Sequence, residues 1–206
     1  MNNVRRLLLA GALAAAAAAP LAAQRMSEGY NFLKAVRERD GEAVQAVVSN
    51  PGSIAINTRD PGTGEGALHI LVQRRDLPWL AYLLGRGARA DLQTNDGTTA
   101  LALAAQVGWL EGAEQLLARG ARVDLPNNRG ETPLILSVQS RHLSTAERIA
   151  MIRLLLRAGA DPNRQDGFAG YSALEYARQD TRSPEILRTL EERAGGRAAE
   201  AAGPNP

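Results

Sequence analysis

The chain has 206 residues, 24 of them basic and 22 acidic, and it contains no cysteine. The absence of cysteine excludes disulfide bridges, and charges of both signs alternate along every segment instead of forming the basic face typical of nucleic-acid-binding proteins. We therefore expect a fold stabilised by packing alone, with no nucleic-acid partner.

The first 23 residues carry the pattern of a secretory signal peptide. A short start with Arg5 and Arg6 precedes the run LLLAGALAAAAAAPL, and small residues precede Gln24. The apolar run is shorter than the roughly 20 residues that a membrane-spanning helix needs. We therefore predict cleavage before Gln24, an exported, periplasmic chain and no membrane insertion afterwards; the alternative is that residues 1–23 are retained as an anchor. Cleavage would leave 22 basic and 22 acidic residues.

The centre of the chain repeats itself at a fixed interval. Gly87-Ala88 returns as Gly120-Ala121, and Gly97 returns as Gly130, each 33 residues later. A fixed interval of this length indicates one supersecondary unit that is stacked, each copy burying its apolar face against the next. We predict a domain over residues 24–194, with a flexible tail over the small, polar residues 195–206. The predicted units lie near residues 30–57, 60–93, 94–126, 127–165 and 167–193.

Each unit contains signals for two helices and a loop. Thr132 before Pro133 is a hydroxyl N-cap with proline at the first helical position, and Thr99 and Ser172 occupy the same place in other units. Turn-forming runs such as RADLQTNDG predict hairpin-like loops between units. The glycines predicted to end the second helices are Gly87, Gly120 and Gly159.

A unit of this length with two short helices and a loop, in which a helix starts Thr-Pro-Leu, resembles the ankyrin repeat. The resemblance covers residues 60–165 and is spread over GEGALHILV, GTTALALAA and GETPLILSV. It implies an all-α solenoid of about five helix-turn-helix units joined by hairpin-like loops. Only the second unit keeps the family's histidine, His69, and the resemblance implies that this side chain ties neighbouring loops together.

The resemblance also implies that a protein partner binds the loop tips and the concave face of the first helices. Trp109 stands where the family usually has a polar residue, so we expect an exposed indole there. Phe168 and Tyr171 are candidates because aromatic side chains are frequent among binding hot spots. The full set of candidate contact residues is Gln73, Arg74, Asp96, Gln106, Val107, Trp109, Arg129, Glu131, Gln139, Phe168, Tyr171 and Arg178.

The fourth unit is six residues longer than the third between its two helices. The extra residues fall near SRHLSTAE, where Ser144 and Glu147 form a capping box that predicts the start of the second helix. We expect the first helix to run through Arg141. The insertion is either a tolerated loop extension or a contact surface that displays Arg141 and His142.

Patterns for catalysis, metals and cofactors are absent or incomplete. The two histidines lie far apart in the chain without acidic residues at ligand spacing, and the glycines at 62–66 lack a following P-loop lysine. We predict a monomeric, non-enzymatic interaction module with no cofactor and an unidentified protein partner. The alternatives are an immunity or inhibitor-like protein that occludes an envelope toxin or enzyme, and an enzyme with a spatially assembled site.

Overall fold

The computed structural model describes residues 27–50 and 53–201, with side chains up to residue 192. Within these ranges the chain forms ten α-helices, a short 3-10 helix at Ala55–Asn57 and no β-strand. The predicted signal peptide and residues 202–206 of the predicted tail lie outside the described residues. The helices are α1 (27–38), α2 (Gly41–Val48), α3 (Ala67–Gln73), α4 (Leu77–Gly85), α5 (Ala100–Val107), α6 (Leu110–Ala118), α7 (Pro133–Gln139), α8 (Thr145–Arg157), α9 (Ala173–Gln179) and α10 (Pro184–Ala201).

The helices stack in two layers. The inner layer runs α3, α5, α7, α9, each helix packing against the next, and the outer layer runs α4, α6, α8, α10 in the same way. Helices within a unit also pack against each other, as α5 does with α6 and α7 with α8. This arrangement confirms the predicted all-α solenoid.

Capping side chains fix where α5 and α7 begin. The hydroxyl of Thr99 accepts a hydrogen bond from the backbone N–H of Ala102 at 3.1 Å, and Thr132 does the same for Ile135 at 3.3 Å. These bonds satisfy N–H groups that have no partner in the first turn of a helix. After the outer helices, Gly87, Gly120 and Gly159 have positive φ angles of 88°, 83° and 103°.

One apolar core runs between the two layers. Leu101 and Leu134, which occupy equivalent positions on neighbouring inner helices, are buried, and so are Leu83 and Leu116 on the outer helices. These helices are too short to be stable alone in water, so each depends on its neighbours for its structure.

The fourth unit differs from our expectation. Helix α7 ends at Gln139 and does not run through Arg141, because Ser140 leaves the helical conformation with ψ 70°. The Ser140 hydroxyl lies 2.7 Å from the Leu136 carbonyl, a local bond that competes with the helix. The six extra residues lie in the loop at 140–144 and in α8, which has 13 residues where α6 has 9.

The carboxyl-terminal end also differs from our expectation. Helix α10 continues to Ala201, so residues 195–201 of the predicted flexible tail are helical. Alanine, arginine and glutamate are good helix formers, and their propensity outweighs the two glycines at 195 and 196.

Candidate functional site

The loop tips form a continuous edge beside the inner helices. The backbone N–H of Asn95 donates to the Thr63 carbonyl at 2.9 Å, and the N–H of Asn128 donates to the Asp96 carbonyl at 2.9 Å. In the same way, the N–H of Gly167 donates to the Arg129 carbonyl at 2.7 Å. These bonds join all four loops, and we call the loop tips together with α3, α5, α7 and α9 the inner face.

Two repeated glycines permit this close approach. Gly97 and Gly130 have φ angles of 83° and 79°. A Cβ on Gly97 would lie 2.7 Å from the backbone N of Asn128, and one on Gly130 would lie 2.2 Å from the N of Gly167. Side-chain-bearing residues rarely adopt this conformation and would clash with the next loop, which explains why glycine returns at the same place in successive units.

His69 joins the start of α3 to the next loop. Its Nδ1 accepts the Gly66 N–H at 3.1 Å, and because a backbone N–H can only donate, the ring proton must sit on Nε2. Nε2 then donates to the Thr98 carbonyl at 3.0 Å. The side chain is 1% exposed, and this burial lowers the pKa of the imidazole, which keeps the ring neutral.

Three of the predicted contact residues are held by partners within the fold. The guanidinium of Arg74 donates to the Val36 carbonyl at the end of α1 and pairs with Asp76 at 3.3 Å. Glu131 is buried and pairs with Arg129 at 2.8 Å. These side chains stabilise the loops and helix ends on which the inner face is built.

The prediction of an exposed indole at position 109 is wrong. Trp109 is 5% exposed and lies against Gly112, where a Cβ would come within 2.1 Å of the indole Cε3. The missing side chain at Gly112 leaves room for the ring to fold back onto α6. Trp109 is therefore a packing residue of the core.

Four polar candidates lie on the solvent side of the inner face. Gln73, Asp96 and Gln106 are exposed, and Gln139 is partly exposed together with the apolar Val107. The three glutamines recur at the repeat interval near the ends of α3, α5 and α7, so they form a row of amide groups across three units.

Asp166 holds the last loop in a fixed shape. Its Oδ1 accepts N–H groups from Phe168, Ala169 and Gly170 at 3.1, 2.8 and 2.9 Å, and its Oδ2 accepts the Tyr176 hydroxyl at 2.5 Å. Burial alone would raise the pKa of Asp166, but these donors hold it below its usual value. Burial and the Asp166 carboxylate raise the pKa of Tyr176 to about 12, so the tyrosine stays the donor.

Aromatic side chains project from this ordered loop. Phe168 is 87% exposed and Tyr171 is 40% exposed. The Tyr171 ring meets the Tyr176 ring edge to face, with centroids 5.5 Å apart. Arg178, on the same helix as Tyr176, is exposed and lies 3.8 Å from Glu191. Phe168, Tyr171 and Arg178 are thus the candidates that the structure leaves at the surface of the fifth unit.

Residues 32–127 and 68–166 match a family model described as ankyrin repeats in three copies. The chain belongs to the ankyrin repeat family. Ankyrin repeats are generic protein–protein interaction modules, and ankyrin repeat domains are typically non-enzymatic. The predicted family is thereby confirmed, and so is the general role of its repeats as protein–protein interaction modules.

The described part of this ankyrin repeat chain has no group of three or more histidine, cysteine or acidic side chains placed to hold a metal ion. Nor does any helix in the described ranges have both the length and the apolar character needed to cross a membrane.

Sequence reasoning missed a second set of bonds between ankyrin units. The carboxylate of Asp91 accepts the N–H of Arg122 at 2.9 Å, and that of Asp124 accepts the N–H of Asp161 at 3.1 Å. Asp91 and Asp124 both close the pattern Gly-Ala-Arg-x-Asp. The return of the same acid at the repeat interval was the signal that could have identified them.

Proposed function

We propose that this ankyrin repeat chain is an exported, non-enzymatic binding module of the cell envelope that holds a protein partner against its inner face. The observation that carries the proposal is the last loop, where Asp166 accepts four hydrogen bonds and Phe168 is left 87% exposed. An exposed aromatic on a preorganised loop is costly in water and loses little freedom on binding.

The rest of the inner face supports the same function. The backbone bonds between loop tips fix the loop of Asp96, whose carboxylate also accepts the Thr98 hydroxyl at 3.0 Å, so this polar group is in place before a partner arrives. The surface combines polar side chains with the exposed aromatic residues Phe168 and Tyr171, and in binding interfaces a few aromatic residues contribute most of the affinity.

A photo-crosslinking experiment in the native cell tests this assignment. A benzophenone amino acid is placed at Gln106 or Phe168 on the inner face, with Glu114, an exposed residue of the outer helix α6, as the control position. We expect one defined protein adduct from both inner positions and none from Glu114. Adducts of equal yield at Glu114, or no adduct at either inner position, would contradict the proposal.

Export is the second part of the proposal and rests on residues 1–23. The basic start, the alanine-rich apolar run and the small residues before Gln24 support cleavage and a periplasmic location in a cell with two membranes. Mass spectrometry of the protein recovered from its own cell measures the amino terminus. A chain that begins at Gln24 supports an exported module, whereas a chain that retains residues 1–23 supports a membrane-anchored one.

A further inference from the structure

The carboxylates on and beside α9 are already used within the fold. Asp180 pairs with the buried Arg148 at 3.0 Å, and Asp166 accepts Tyr176 and the loop N–H groups. Glu175 accepts the N–H of Ser172 at 2.7 Å as part of a capping box. None of these acids is free to attract a basic partner.

The arginines of the same region are free by comparison. Among the described residues, no carboxylate lies within 4.0 Å of the guanidinium of Arg141 or Arg182, and both residues are exposed. The guanidinium of Arg178 lies 3.8 Å from the Glu191 carboxylate, and both side chains are about half exposed. An exposed pair of this kind contributes little and is easily exchanged. The carboxyl ends of α7 and α9 therefore carry a local excess of available positive charge.

A groove connects Arg141 to the paired rings of Tyr171 and Tyr176. It lies between the ends of α7 and α9 and is lined by Val138, Gln139, Arg141, Tyr176 and Asp180. The Tyr176 ring at one end of the groove contacts the ring of Tyr171. A second groove adjoins it, because Arg141 also lines the depression that contains Arg182. We call Tyr171, Tyr176, Arg141 and Arg182 the aromatic–basic strip.

We propose that the aromatic–basic strip binds an acidic peptide segment of the partner that carries an aromatic or large aliphatic residue. This inference rests on the proposed function, since it assumes a protein partner on the inner face. The apolar residue packs on the tyrosine rings beside Phe168, and flanking carboxylates pair with Arg141 and Arg182.

Charge decides the class of partner. A basic peptide would meet the unpaired guanidinium groups of Arg141 and Arg182 and find the carboxylates beside α9 already paired, so it is repelled. A nucleic acid gains affinity by having many phosphates neutralised along its length, and the strip offers its free arginines only over two helix ends. An acidic peptide matches both the sign and the small extent of the charged surface.

Binding is measured by fluorescence anisotropy with the full chain and three labelled probes. The probes are a twelve-residue peptide of glutamate and phenylalanine, its counterpart with lysine for glutamate, and a single-stranded dT oligomer of equal length. The variants are Arg141→Glu and Phe168→Ala. The control is Arg153→Glu, which reverses an exposed charge in the middle of the outer helix α8.

We expect the acidic peptide alone to bind at low salt and its affinity to fall as salt screens the contacts. Arg141→Glu and Phe168→Ala should each weaken it by roughly tenfold or more, which corresponds to 1.4 kcal/mol. Arg153→Glu should leave it unchanged. Equal binding of the lysine peptide, tighter binding of the dT oligomer, or an unaltered Arg141→Glu variant would overturn the inference. Adducts at Gln106 with no acidic-peptide binding would overturn this inference and leave the proposed function standing.

Discussion

At the scale of single residues, His69 shows how one side chain can couple two units. Its ring is buried and accepts from Gly66 while it donates to Thr98 in the next loop. Only the neutral ring can make both bonds, because a protonated Nδ1 no longer accepts the Gly66 N–H. The link between these units therefore depends on pH.

We predict that lowering the pH from 7.5 to 5.5 destabilises the protein through His69. Burial lowers the pKa of His69 below its ordinary 6.5, so below that value the unfolded chain binds the proton more readily than the folded one. The stabilisation is fully present above pH 6.5 and is lost as the pH falls through that value. Urea unfolding at the two pH values measures the free energy of unfolding.

His69→Ala should cost about 2 kcal/mol at pH 7.5, because it leaves the Thr98 carbonyl and the Gly66 N–H without their partner. It should also remove most of the difference between the two pH values. The exposed His142 is the matched control, and His142→Ala should retain the full difference. A pH dependence that survives in His69→Ala would show that another group causes it.

At the scale of helices, two glycines of the outer helices differ in the space around them. Gly85 ends α4, and a Cβ there would lie 3.8 Å from the nearest atom, a side-chain nitrogen of Arg119. Gly112 lies inside α6, and its Cβ would come within 2.1 Å of Trp109. Helix propensity favours alanine at both positions, but only Gly85 has room for it.

We predict opposite effects for Gly85→Ala and Gly112→Ala. The first should raise the free energy of unfolding by about 0.5 kcal/mol, because alanine restricts the unfolded chain without strain in the helix. The second should lower it by about 1–3 kcal/mol, because the indole must move from its packed position. Urea midpoints at constant m-value measure both changes.

A Trp109→Ala background separates overpacking from any other effect at position 112. Once the indole is absent, Gly112→Ala should lose its cost, since the added methyl group meets an empty space. An equal penalty with and without Trp109 would contradict the packing explanation.

The contrast between these glycines also shows what the sequence can predict. Helix starts at Thr99 and Thr132 follow from a hydroxyl and the residues next to it, so local chemistry was sufficient. The burial of Trp109 depends on the space left by Gly112, and the end of α7 depends on a serine hydroxyl that competes with the helix. Such features are set by three-dimensional packing and lie beyond sequence periodicity.

The site was predictable to a similar degree. Positions such as Gln106 and Phe168 were placed on the surface by the repeat register alone. Arg74 and Glu131 occupy contact positions in that register, yet their partners, Val36 and Arg129, draw them into the fold. The sequence does not show that Asp180 pairs with Arg148, and this pairing leaves Arg141 without a carboxylate partner among the described residues.

At the scale of the whole molecule, Arg148 is a buried polar link between the fourth and fifth units. It is 4% exposed, donates to the Val138 carbonyl and to Ser183, and pairs with Asp180. Burial alone would raise the pKa of Asp180, but the hydrogen bond from Arg148 holds it below its usual value, so the pair stays ionised. Nε of Arg148 has no hydrogen-bond partner in the described part of the chain, so the free energy that this buried group loses on leaving water is not recovered in the fold.

We predict that Arg148→Ala loosens the end of the stack and leaves its beginning intact. Removing the guanidinium leaves the Asp180 carboxylate buried and unpaired, at a cost of about 3–5 kcal/mol. In a solenoid each unit contacts only its neighbours, so hydrogen exchange should quicken in α9 and α10 and remain slow in α3 and α4. Arg153→Ala, which removes an exposed arginine from the same helix, should change neither region.

The double variant Arg148→Met with Asp180→Leu tests the cause. It removes both charges together, so the fifth unit should recover much of its protection if the unpaired carboxylate is responsible. Uniformly faster exchange in all helices of Arg148→Ala would instead mean that the stack opens as a single cooperative unit. The neighbour-to-neighbour contacts of both layers argue for local opening, because no described inner helix reaches past the next one in the stack to make an extensive contact.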